Sequence, residues 1–176
     1  MKADTSRHLL SEADQLGLEA RVVQHDHATL KLWLRLLACS TQIESEIRRR
    51  LRQRFGISLS RFDYLAQLYR QPEGLRMKDL SRHLMVTGGN VTGLTDELER
   101  EGMVAREGSP TDRRAWIVRL TDVGRTAFAA MAEEHERWLL ELLAGFGGGD
   151  AQQLYKQLGL LRVQLMRTLA PDEVAK

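Results

Sequence analysis

Cysteine is almost missing from this chain. Cys39 is the only one in 176 residues, so an intrachain disulfide is impossible and a cysteine-based zinc site is excluded by count. Long apolar runs are missing too. Nothing approaches the roughly 20 residues that a membrane-spanning helix needs, and the opening MKADTSRHLL lacks the long apolar core of a secretory signal. The expectation is a cytoplasmic protein with no membrane partner. A strong excess of one charge sign is also absent: 26 Lys and Arg stand against 24 Asp and Glu, a formal net charge of +2. Any affinity for nucleic acid must therefore come from where the charges lie, not from bulk basicity. No internal repeat is visible. No phosphate-binding loop, no nucleophile in its usual sequence context and no carboxylate or histidine arrangement points to catalysis, so neither an enzyme nor a cofactor is expected. His25, Asp26 and His27 resemble a metal cluster only superficially, because no further ligands lie near them in sequence.

What is present is 43% apolar and 28% charged residues, enough for one ordinary domain with a real core and too little for two of comfortable size. Residues before about Val23 are polar and weakly periodic and read as an arm or short helix. From Ala28 to Phe55 there is no Gly or Pro, and the apolar residues form two stripes: Leu30, Trp33, Leu34 and Leu37 on one, Leu32, Leu36, Cys39 and Ile43 on the other. A helix apolar over so much of its circumference needs cover on several sides, which predicts a partner chain.

Gly56 ends that helix, and Ser58 or Ser60 caps a second one carrying Phe62, Leu65 and Leu68 or Tyr69, which Pro72 and Gly74 stop. A short third helix places Met77, Leu80 and Leu84 on one face. A fourth, in TGGNVTGLTDELEREG, has Val91, Leu94 and Leu98 inward and Gly102 as its C-cap. Two strands then flank the turn-rich EGSPTDRR, with Trp116, Val118 and Leu120 on one face of the second. Thr121 caps the next helix, GFGGG interrupts, and Asp150 caps the last, in which Leu154, Leu158, Leu161, Leu165 and Leu169 recur at alternating spacings of three and four. That spacing reads as a packed dimer seam.

Two short helices, a tight turn and a two-stranded hairpin follow the order of a winged helix-turn-helix, whose second helix enters the DNA major groove with its N-terminal residues toward the bases. This bears on Gly88, Gly89 and Gly93, each costing about 1 kcal/mol relative to Ala in a helix interior. Glycines in a first turn bare the unpaired N–H groups and the positive end of the helix dipole, and remove side chains that would hold a phosphate or base away. Thr87, Asn90, Thr92 and Thr95 are then short polar groups on the approach face. The plainer alternative is that Gly88 and Gly89 relieve crowding at a tight turn. Lys78, Arg76 and Arg82 are candidate phosphate contacts. The basic run of Arg48 to Arg54 is favoured at a helix C-terminus by the dipole alone. Cys39, in an apolar stripe without a resolving partner, reads as a buried inert thiol rather than a redox sensor.

The segment from Leu59 to Thr121 resembles the DNA-binding region of MarR-type transcriptional regulators. The resemblance is carried by the wing, with Asp112, Arg114 and Leu120-Thr121 in the family's spacing, and by Leu98-Glu99-Arg100-Glu101-Gly102-Met103-Val104-Ala105-Arg106 leading into it. It implies a mostly α fold: a winged helix-turn-helix lobe at residues 58–121 between dimerisation helices at 1–57 and 122–176. It also implies a homodimer on an inverted-repeat operator in double-stranded DNA. Asp112 would brace one arginine by a charge-assisted pair while Arg113 or Arg114 enters the minor groove. VTGGNVTGLTDELE and the stretch from HDH to LWLRLLAC are similar to the subgroup that controls aromatic-acid catabolism by sensing aromatic acyl-CoA thioesters. Effectors in the family bind between the dimerisation helices and the DNA-binding lobe. That places an effector pocket, for an aromatic acid or its CoA thioester, beside Trp33, Arg35, Leu36 and Cys39, with Phe62 or Tyr64 opposite. The expectation is a repressor that leaves DNA when the effector binds. Two alternatives are a winged-helix module that binds only protein, whose binding would respond much less to salt, and a redox regulator acting through Cys39.

Overall fold

Helix α1, Ala28–Phe55, is held along its polar side by its own glutamates. Arg48 pairs with Glu44, Arg49 with Glu46 at 2.6 Å and Arg50 with the same Glu46 at 2.7 Å, the i,i+3 and i,i+4 geometry that supports a helix surface. The two arginines hold the Glu46 carboxyl down to about 2. The basic run is thus largely answered within its own helix, in addition to the dipole effect at its end. Gly56, at φ 66, turns the chain out of the helix.

The computed structural model describes residues 28–84, 88–108 and 116–169, together with Glu12. After α1 come α2 (Leu59–Tyr69), β1 (Leu75–Arg76), α3 (Met77–Leu84), α4 (Gly88–Arg100), β2 (Val104–Gly108), β3 (Trp116–Leu120), α5 (Asp122–Leu142) and α6 (Gly149–Leu169). Among the described residues no helix is long and apolar enough to cross a membrane. The residues form two compact units that divide between Glu133 and Glu134, within α5.

The first unit is built around α2. The Ser58 hydroxyl accepts the Arg61 N–H at 3.3 Å, an N-cap, and the helix buries Phe62, Tyr64, Leu65 and Leu68. Leu80 of α3, Val91 and Leu98 of α4 and Val118 of β3 are likewise fully buried. The sheet runs in the order β1-β3-β2, all antiparallel, with β2 and β3 paired from Val104↔Leu120 to Gly108↔Trp116. The sequence predicts only this hairpin. The third strand, Leu75 and Arg76 against Val118 and Ile117, is too short for any alternation to be read. It is made possible by Gly74: at φ 81, a Cβ there would stand 2.6 Å from the Val118 carbonyl oxygen.

Helix α4 ends in a Schellman motif, with Gly102 N–H on the Glu99 carbonyl and Met103 N–H on the Leu98 carbonyl, both at 2.9 Å. Thr121 ties the base of the wing to this cap: its hydroxyl donates to the Gly102 carbonyl at 2.6 Å and accepts the Gly124 N–H at 3.0 Å, so capping α5. Gly124 packs so closely on the Met103 carbonyl that a Cβ does not fit.

The second unit holds the rest of α5 and α6. Here α6 begins at Gly149, one residue before the predicted cap, so Asp150 sits in its first turn, where a carboxylate favours the dipole. No residue of α6 is buried; Leu154, Leu158, Leu165 and Leu169 are exposed and Leu161 is half-buried.

Candidate nucleic-acid interface

The inner face of α4 is fixed by Val91, Thr95 and Leu98, all fully buried. Thr95 is therefore not on the approach face where its polarity had suggested it. Its hydroxyl donates to the Val91 carbonyl at 2.6 Å and meets the Tyr64 hydroxyl at 2.6 Å, with the Met77 sulfur 3.6 Å away. A hydroxyl satisfied inside its own helix leaves little trace in a hydrophobic pattern.

The outer face carries Asn90, Thr92 and Gly93, all exposed. A Cβ built on Gly93 meets nothing within 4 Å. Crowding inside the protein thus does not account for this glycine. Gly88 and Gly89 lie in the first turn of α4; Thr87 lies outside the described residues, as do Asp112, Arg113 and Arg114 of the wing loop. Lys78 is exposed near the start of α3. Arg76 is half-buried in β1, and Arg82 is exposed with Asp79 at 3.6 Å.

Sequence reasoning missed the residue that ties α4 to the wing. Arg106 of β2 pairs with Asp96 through one Nη and with Glu99 at 3.3 Å through the other, while its backbone N–H donates to Glu99 Oε1 at 3.2 Å. The available signal was an acidic i,i+3 pair on the helix followed by an arginine in the first strand. Arg61 of α2 pairs with Glu101, just beyond α4.

The residues assigned to an effector pocket are distributed otherwise than expected. Trp33 and Cys39 are exposed and Arg35 and Leu36 half-buried on the N-terminal half of α1; the predicted burial of Cys39 is not found within the single chain. Phe62 is buried and packs on Phe128, ring centres 5.3 Å apart. Tyr64 is corrected outright. It is fully buried, its hydroxyl is engaged by Thr95, and burial pushes its phenol up to about 12, so it presents no open face to a ligand. Among the described residues no group of His, Cys, Asp and Glu is placed to hold a metal.

A recognition helix seated on one face by a fully buried triad, backed by a hairpin wing, defines a winged helix-turn-helix protein. The MarR family model matches residues 55–115. The crystal structure of a MarR family transcriptional regulator from Silicibacter pomeroyi is 35% identical, covers 82% of this chain and 99% of its own, and superposes with a TM-score of 0.67. An HTH-type transcriptional regulator of Bacillus subtilis, YdgJ, is 36% identical over 107 residues, 61% of this chain. The chain spans 65% of that relative's length. The fold is shared with Sco3205 of Streptomyces coelicolor, a MarR family regulator solved in complex with DNA: TM-score 0.73, 23% identity, 85% of this chain and 92% of the other covered. The chain belongs to the MarR family of transcriptional regulators and is not an enzyme.

Proposed function

We propose that this chain acts as a homodimeric, ligand-responsive repressor that binds an inverted repeat in double-stranded DNA. The observation that carries the reading is the asymmetry of α4. One face is anchored by Val91, Thr95 and Leu98 without exposure, while the other offers Asn90, Thr92 and an unhindered Gly93. Asn90 suits a bidentate contact to adenine; the bared first turn at Gly88 and Gly89 suits a phosphate. Lys78, Arg76 and Arg82 supply flanking phosphate contacts, and Arg113 or Arg114 reaches the minor groove from the wing, braced by Asp112. The solved DNA complex of Sco3205 supports this use of the fold.

The apolar N-terminal half of α1 and the exposed leucines of α6 support dimerisation through those helices. The effector is an aromatic acid or its CoA thioester, taken up beside Trp33, Arg35, Leu36 and Cys39, with the Phe62 side of α2 opposite; the regulated genes belong to aromatic-compound catabolism. The ring stacks on the apolar members and arginine meets a carboxylate or a CoA phosphate. Release of DNA follows if the ligand favours a spacing of the two lobes that misaligns them with the operator.

The test selects an inverted repeat from randomised DNA, then titrates the preformed complex with benzoate, hydroxycinnamate and their CoA thioesters. Selection of a palindrome whose affinity falls steeply with salt is the expected result. Recovery of no preferred sequence overturns the DNA reading; indifference to all four compounds overturns the aromatic effector alone.

A further inference from the structure

Trp116 is the first residue of β3 and is 54% exposed, whereas Val118, two residues on along the same face, is fully buried. The ladder fixes its surroundings. Trp116 stands directly opposite Gly108, and Arg106 stands opposite Val118. The indole therefore shares its face of the wing with the arginine that reaches across to Asp96 and Glu99 of α4. That face is turned toward the recognition helix, and Trp116 marks where it runs out into water.

The facing strand does not cover the ring. Gly108 has no side chain, and a Cβ built there meets nothing within 4 Å. An aromatic residue in a hairpin ordinarily gains its stabilisation from a cross-strand side chain. Opposite a glycine it gains little, so the fold does not account for a large apolar ring at this place.

We infer that Trp116 is an uncharged anchor for the DNA backbone, an inference that rests on the DNA reading proposed above. With α4 in the major groove and the wing directed at the minor groove, one sugar-phosphate strand passes between them. A residue at the outer end of the α4-facing side of the hairpin is placed against that strand. The indole lays its apolar face on a deoxyribose, and its Nε1–H, a donor without acceptor function, donates to a phosphate oxygen. The missing side chain of Gly108 leaves the sugar room to approach. Such a contact carries no sequence information. It fixes the height of the wing and α4 over the duplex, while Asn90 and the wing arginines do the reading.

The experiment uses the full-length protein with its three tryptophans replaced by 5-fluorotryptophan, and Trp116→Phe assigns the Trp116 19F line. In the complex with the selected operator that line should lose its H2O/D2O isotope shift, because the ring leaves water. Trp116→Ala should bind the operator about tenfold more weakly and Trp116→Phe about threefold, with melting temperatures unchanged. A scrambled duplex of the same length should lose affinity by the same factor. The slope of affinity against salt should stay as in the parent chain, whereas removing an arginine from a phosphate lowers it by about 1. An isotope shift that persists in the complex, operator affinity unchanged in Trp116→Ala, or a loss confined to the operator each overturns the proposal alone. A parent chain that binds neither duplex overturns the DNA reading and this proposal with it.

Discussion

The hydroxyls of Tyr64 and Thr95, 31 residues apart in sequence, lie 2.6 Å from each other in the core of the DNA-binding lobe. Because Thr95 gives its proton to the Val91 carbonyl, Tyr64 is the donor, and the two bonds in series fasten the recognition helix to α2. Both residues are fully buried, so neither end has water to fall back on.

This pair predicts alkaline sensitivity. Burial raises the Tyr64 phenol from 10 to about 12. Below pH 10 both folded and unfolded chains hold the proton and the contribution is complete. Between about 10 and 12 the unfolded state loses it first, and stability falls by an amount of order 2 kcal/mol. Denaturant midpoints measured from pH 8 to 12 should show the decline. Tyr64→Phe should be less stable by about 1–2 kcal/mol at neutral pH and lose that part of the slope.

Arg106 should matter more for DNA than for folding. Its partners Asp96 and Glu99 are 47% and 39% exposed, so Arg106→Ala should cost no more than about 1 kcal/mol of stability. It leaves two carboxylates on the recognition helix unanswered beside phosphates, and operator affinity should drop about tenfold, or ~1.4 kcal/mol. Fluorescence anisotropy and thermal melts on one preparation separate the two. A fall in melting temperature with unchanged affinity means the brace has no role in binding.

Gly93 and Gly124 should respond in opposite ways to the same change. Gly93→Ala enters open space and should raise stability by up to about 1 kcal/mol through helix propensity, while weakening the operator complex. Gly124→Ala drives a methyl into the Met103 carbonyl and should destabilise by about 1–3 kcal/mol. If Gly93→Ala binds operator as well as the parent chain, that glycine is not there for DNA.

In the wing, Arg113→Ala or Arg114→Ala should weaken operator binding by about 1–3 kcal/mol for whichever reads or braces, with melting temperature unchanged. Affinity unchanged from the parent chain in both variants at physiological salt rules the wing out as a reader.

Leu158 and Leu165 on α6 are 39% and 48% exposed within the single chain. Sedimentation of the parent protein at micromolar concentration should give a dimer, and Leu158→Glu combined with Leu165→Glu should give a monomer. A parent chain that sediments as a monomer removes the dimer from the proposed function.

The winged lobe was readable because its helices obey one-sided spacing and its turns carry Gly and Ser where caps demand them. Ser58, Gly56, Gly102 and Thr121 are each used as their residue types suggest. Three things escaped. β1 is two residues long, below the length at which alternation means anything. The inward turn of Thr95 depends on a partner 31 positions away. The Arg106 brace needs α4 and β2 to be brought side by side. The pocket residues were placed by family likeness, which offered Phe62 or Tyr64 alike; the burial of Tyr64 depends on a hydroxyl partner that no local spacing announces.

The junction of Thr121, Gly124 and Met103 has a mechanical meaning. It pins one end of α5 by contacts that leave no room for slack, and α5 runs on for 21 residues. At a rise of about 1.5 Å per residue that is an arm of roughly 30 Å. Because Gly124 lies directly on the Met103 carbonyl, any shift of the first turn of α5 meets the backbone just past Gly102, the cap of the recognition helix, with no side chain between them to absorb it.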